Sequence, residues 1–181
     1  MGDNIILKNM EFFGKHAKIL EKISVTQDNL YKQPPLFDRM LDSVFIAGLI
    51  GLICKKKSSI DKSENYKKTI FQDTIFNNLD DINFYTAIPI IIENDLSKTI
   101  EVKKALFTDG EEDFTNARYK NFYAYVLGGL EILDEKVLNK DYTHSEIGVF
   151  NYLDELLNDI LQEDNFNIDP NIDLDIDMDI N

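Results

Sequence analysis

Apolar residues recur every three or four positions through most of this chain, the spacing of helices that bury one face. From Asn9 to Ile23, the residues Met10, Phe13, Ala17, Leu20 and Ile23 predict one such helix. Thr26 to Gln33 is polar and reads as a connection. Pro34-Pro35 then opens a helix over Leu36–Cys54, because the first N–H groups of a helix have no partner that proline could remove. This helix is amphipathic early and apolar all round from Val44, the pattern of a helix at the centre of a domain. Gly48 and Gly51 lie three apart, where a neighbour can approach closely. Lys55, Lys56 and Lys57 close the helix, and cations suit a helix end whose carbonyls are unpaired.

Tyr66 to Phe76 reads as a short helix or a mixed segment. Asp80-Asp81 resembles an N-cap for a helix over Ile82–Glu93, with Phe84, Ala87, Ile88, Ile91 and Ile92 as its apolar face and Pro89 kinking it. Ser97 to Phe107 is helical in pattern, and Thr108 to Asp113 is a turn built on Asp-Gly. The longest helix is predicted over Phe114–Leu138. Phe122, Val126, Leu130, Leu133 and Val137 share one side of it, widened by Tyr119, Tyr123 and Leu127. Arg118, Tyr119, Phe122, Tyr123 and Tyr125 mix a cation with aromatics, but at helical spacing they read as core. Gly128-Gly129 interrupts the stripe at about 1 kcal/mol per glycine relative to alanine, which a close helix crossing or a kink must offset. Thr143–Glu146 matches a capping box, and the helix it starts carries Phe150, Leu153, Leu157 and Ile160. The predicted fold class is all-α: a compact multi-helix bundle of about six to seven helices over residues 1–162, then an acidic tail over 163–181.

Charge changes the picture at that tail. Acidic residues number 33 against 19 basic, for a net charge of −14, the opposite of what a nucleic-acid-coating surface needs. The tail alone carries −7, with no basic residue, and ends in NIDLDIDMDIN. Strict alternation is a strand pattern, and a lone strand cannot bury its apolar side. The tail is therefore expected to be disordered when free and to form a strand on a partner. Ile172, Leu174, Ile176 and Met178 would be its anchors, with Asp173, Asp175, Asp177 and Asp179 on the opposite side. DNA mimicry and simple solubilisation are its other readings. A calcium loop is disfavoured, because an EF-hand needs a glycine at its sixth position and a bidentate glutamate at its twelfth. The one basic patch is Lys55, Lys56 and Lys57 with Lys62, Lys67 and Lys68. It reads as a solvated helix end, or as a contact for phosphate or an acidic partner, with at most weak nucleic-acid binding.

Little points to chemistry. Cys54 is the single cysteine and falls in the most apolar run, the setting of a buried, inert thiol. His16 and His144 stand apart from any serine or cysteine pattern. No phosphate loop, zincin motif, nucleophile elbow or dinucleotide fingerprint occurs. No catalytic residue, metal or cofactor is therefore expected. The apolar run Val44–Cys54 is too short to cross a bilayer, which takes about 20 residues. No targeting pattern is seen, so a cytoplasmic, membrane-free protein is expected.

Three stretches carry a family likeness. They are LFDRMLDSVFIAGLIGLICKKK from Leu36, TIFQDTIFNNLDDINFYTAIPIII from Thr69, and RYKNFYAYVLGGLEIL from Arg118. The last contains a core similar to a Y-A-x-G-G-L-x-x-L signature. Together they resemble the small accessory proteins beside bacterial DNA phosphorothioation systems, Dnd system-associated protein 4. The likeness spans residues 36–138 and rests mainly on the double glycine. The chain departs from the pattern at Val126-Leu127 and in its acidic extension. The resemblance implies a role in DNA-modification-linked phage defence, with no catalytic residue to carry over, and the leading expectation is a non-catalytic accessory or adaptor subunit of an anti-phage defence complex, held by protein–protein contact to a larger ATPase or nuclease subunit. The competing expectation is an acidic inhibitor, a DNA mimic or antitoxin, of a DNA-acting enzyme.

Overall fold

The structure is a computed structural model that describes residues 9–25, 35–93, 112–138, 154–155 and 158–159. In chain order its elements are β1 (Met10–Phe13), α1 (Gly14–Ile23), α2 (Met40–Ile53), β2 (Lys67–Ile70), α3 (Gln72–Phe76), α4 (Leu79–Glu93) and α5 (Glu112–Leu133). A π-helical turn, Asp134–Leu138, follows α5. The described residues are thus mostly helical, and the expectation of an all-α bundle is corrected by a small sheet. β1 and β2 pair antiparallel in the register Met10↔Ile70, Glu11↔Thr69, Phe12↔Lys68 and Phe13↔Lys67.

The sheet arises where a single helix over Asn9–Ile23 was expected. Met10 and Phe12 are buried while Glu11 and Phe13 are half-buried, so MEFF satisfies a period of two as well as a helical one. Gly14 makes the switch. Its φ is +52°, a left-handed conformation, and a side chain there would collide with Asp61. The Asp61 carboxylate then accepts the Lys15 N–H at 2.8 Å, so a residue far along the chain serves the open N-terminus of α1. Phe13, in the N-cap position, provides no side-chain bond of its own.

α2 starts at Met40, later than the Pro34-Pro35 signal suggested. Leu36 and Phe37 precede it without helical structure, donating their N–H groups to the Ile23 carbonyl at 2.8 and 2.9 Å. The far end of α2 is closed by backbone. Lys55 takes a left-handed φ of 51°, its N–H donates to the Leu52 carbonyl, and the Lys56 N–H donates to the Gly51 carbonyl. That pair of bonds is a Schellman closure, a position where glycine is the usual residue. It turns Cys54 outward, so the thiol expected to be buried is exposed.

The segment Tyr66–Phe76 is mixed, contributing β2 and α3. α4 runs through Pro89 from Leu79, so Asp80 and Asp81 lie within its first turn. Its buried residues are Ile82, Thr86 and Pro89. The face expected to be apolar and inward, Phe84 with Ile91 and Ile92, points outward. α4 is apolar all round, so periodicity could not choose between its sides. The capping box at Thr143–Glu146, the helical pattern over Ser97–Phe107 and the acidic tail lie outside the described residues, although Asp154, Glu155, Asn158 and Asp159 are helical and exposed.

α2 and α5 form the largest contact in the fold and hold the core, with Val44, Leu127, Leu130 and Leu133 fully buried. All four glycines of these helices are at the crossing. A Cβ on Gly129 would overlap the Ala47 carbonyl, one on Gly51 the Tyr125 carbonyl, one on Gly128 the Lys56 carbonyl, and one on Gly48 the Phe122 ring. Three of these collisions are with backbone, which cannot swing aside. Gly129→Ala is therefore expected to destabilise the chain by about 2–4 kcal/mol in urea unfolding. An unobstructed helical glycine would instead gain about 1 kcal/mol from the same change.

Candidate functional site at the glycine crossing

Close approach at Gly128 lays the chain leaving α2 along α5. The Ser58 N–H donates to the Ala124 carbonyl at 3.0 Å. This brings Lys56 and Ser58 to Glu131, one helical step past the double glycine, while α1 adds Lys15 and His16 from the other side. Glu131 Oε1 accepts from Ser58 Oγ at 2.5 Å and from Lys15 Nζ at 2.8 Å, and sits 3.1 Å from His16 Nε2. Glu131 Oε2 lies 3.3 Å from Lys56 Nζ. Burial alone would raise the pKa of Glu131, but the bonds from Lys15, Ser58, His16 and Lys56 outweigh it and bring the value down to about 2. His16 is fully buried and its Nδ1 has no hydrogen-bond partner among the described residues. Burial is the larger influence on the imidazole and lowers its pKa, against the opposing pull of Glu131.

Two further carboxylates are held in the same manner. Glu93, at the end of α4, accepts from Lys57 Nζ at 2.7 Å, Asn121 Nδ2 at 2.6 Å and the Tyr125 hydroxyl, and Lys57 also lies 4.5 Å over the Tyr125 ring. Glu21 pairs with Lys68 at 2.6 Å and accepts the Tyr66 hydroxyl. Lys67 pairs with Glu11 at 2.7 Å. The lysine cluster is thus drawn largely into internal pairs: Lys56 and Lys57 face Glu131 and Glu93, whereas Lys55 is exposed at the helix closure. The structure brings Gly48, Gly51, Gly128 and Gly129 together. The tail anchors Ile172, Leu174, Ile176 and Met178, and Asp173, Asp175, Asp177 and Asp179, lie outside the described residues.

The Glu131 cluster has weak chemical means. Its carboxylate stands between serine and histidine, and no hydrogen bond joins Ser58 to His16 among the described residues. A carboxylate held near 2 is a poor base for a hydroxyl proton. No group of three or more His, Cys, Asp or Glu side chains converges among the described residues. None of their helices is long and apolar enough to cross a membrane. A groove of about 270 Å³ runs beside β1, lined by Met10, Phe13, Ile60, Tyr119, Lys120 and Tyr123. The Tyr123 hydroxyl donates to the Glu11 carbonyl there, serving the backbone of β1.

The other notable surface is the outer side of α4. Phe84 is 64% exposed, Ile92 55% and Ile91 45%. Phe84, Ile88, Ile91 and Ile92 follow helical spacing, and the half-buried Ile88 completes the row. No family model, curated protein or solved structure matches this chain.

Sequence reasoning left the Glu131 cluster unseen, because His16 and Glu131 are 115 positions apart. The one legible hint was the double glycine just before Glu131.

The perturbed groups give the stability a pH dependence. The folded state disfavours protonated His16, so the unfolded chain takes up that proton first as pH falls, and stability is lost below the ordinary value of 6.5. Glu131 stabilises the fold above 4.5, and this contribution disappears as pH falls towards about 2. Urea unfolding of the full chain should therefore show declining stability between about pH 7.5 and pH 5.5. His16→Gln, which can still donate to Glu131, should remove that part of the decline. An unchanged decline in the variant would place its origin elsewhere.

Proposed function

We propose that the protein is a non-catalytic accessory or adaptor subunit that works by docking onto a larger protein. The observation that carries this reading is the contrast between its charged and apolar groups. The carboxylates Glu131, Glu93 and Glu21 are each tied to cations and hydroxyls of the same fold. Large apolar side chains, by contrast, stand in solvent along α4. A soluble chain gains nothing from exposing such a row, and contiguous exposed apolar surface marks interaction sites. The larger partner is an ATPase or nuclease subunit of a bacterial anti-phage defence complex. That placement is supported by the likeness of residues 36–138 to the phosphorothioation-associated accessory family. In this reading the acidic tail supplies a second contact through Ile172, Leu174, Ile176 and Met178.

The test is co-expression of the full chain with the products of the adjoining genes. The chain should copurify with one larger subunit and show no turnover of its own. Absence of copurification, both with residues 163–181 and without them, removes the subunit reading.

A further inference from the structure

The outward face of α4 has a definite composition. Viewed down the helix, Asp80 and Asp81 occupy the same side as Phe84, Ile88, Ile91 and Ile92, one turn nearer the N-terminus. Both aspartates are exposed, as is Asp73 on the neighbouring α3. None of the three is in an ion pair among the described residues. Arg39, whose charge is felt by Asp81, has its guanidinium on Asp42 through bonds of 2.9 and 2.6 Å. The cation at the other end, Lys57, is held by Glu93 on the inner side. The exposed row is therefore apolar from Phe84 to Ile92, with the exposed carboxylates Asp80 and Asp81 at its head and Arg118 of α5 bound beside it to Asn83 at 3.1 Å. Phe71, which precedes α3, and Phe76, its last residue, are two more exposed rings, 66% and 62% exposed.

We infer that this face receives an amphipathic helix of the partner, whose apolar side covers Phe84, Ile88, Ile91 and Ile92 and whose lysines or arginines meet Asp80, Asp81 and Asp73. The inference rests on the docking reading above and adds the chemistry of what docks. Two helices can pack ridge into groove along such a row. Phe84, which opens the row, is the kind of large aromatic side chain that dominates interface energetics. The acidic head selects and steers a basic helix over an acidic one, which matters for a chain already at −14.

The full-length protein can be titrated with a designed helical peptide of about 18 residues, a leucine stripe flanked by lysines. Its control has glutamate in place of every lysine. The lysine peptide should bind at least about tenfold more tightly than the control. Phe84→Asp should weaken it about tenfold or more although it adds negative charge, which separates apolar docking from simple charge attraction. Asp80→Asn with Asp81→Asn should weaken it severalfold and flatten its salt dependence. Because Phe84 is exposed, Phe84→Asp should leave the melting temperature and the sedimentation coefficient unchanged.

Equal binding of both peptides, no binding, or indifference to Phe84→Asp overturns the inference. A variant that melts early or fails to fold also overturns it, by showing that the chain's own residues cover the face. So does a dimer that Phe84→Asp converts to monomer, since a second copy would then be the occupant. Copurification with a larger subunit alongside any of these results would leave the docking reading standing on a different surface.

Discussion

Everything else in the fold depends on the distance between two helix backbones. α2 and α5 meet where Ala47 and Gly51 face Tyr125 and Gly129, with no side chain between them. Glycine is a poor helix residue, so its use here is an energetic concession that close packing must repay. Tight contact lets Val44, Val126, Leu127 and Leu130 close around the crossing with no solvent access. It also fixes the path of the chain after α2, because the Lys56 carbonyl rests against Gly128. The polar cluster follows from that path. Lys56 and Ser58 reach Glu131 only because the segment that bears them is pressed onto α5.

The electrostatic layer reinforces the same geometry. Each of Glu131, Glu93 and Glu21 links elements distant in sequence: α1 and the post-α2 segment to α5, α4 to α5, and β2 to α1. Glu21 is buried and Glu131 half-buried, where an uncompensated charge would be costly, and each of the three carboxylates has at least two donors. Their partners are thereby committed to holding the fold. The exposed apolar row, by contrast, lies on α4. The division of labour is legible in α4 itself. Tyr85 stacks on Phe45 of α2 at 4.2 Å, while Phe84, the residue before it, faces solvent.

Much of this was readable from the amino acids, and the failures have physical causes. The central helix with Gly48 and Gly51, the long helix with Gly128 and Gly129, and the aromatic core at Tyr119, Phe122 and Tyr125 all follow from spacing alone. The short sheet did not, because four residues fit either period and the deciding features are the left-handed Gly14 and a distant carboxylate, Asp61. The orientation of α4 did not, because both of its sides are apolar. Cys54 was misplaced because the apolar run extends one residue beyond α2, to the C-cap where Lys55 begins to turn the backbone. The Glu131 cluster was invisible because its members are joined only by the tertiary fold.

The most direct measurement is hydroxyl-radical footprinting of the full chain, first alone and then bound to the larger subunit that copurifies with it. In the isolated protein Phe84 should be oxidised readily, whereas Phe12 and Phe122, buried around the crossing, should be protected. On complex formation the modification of Phe84 should fall several-fold while Phe12 and Phe122 stay protected. Phe84 remaining as reactive in the complex as in the free chain would contradict the account.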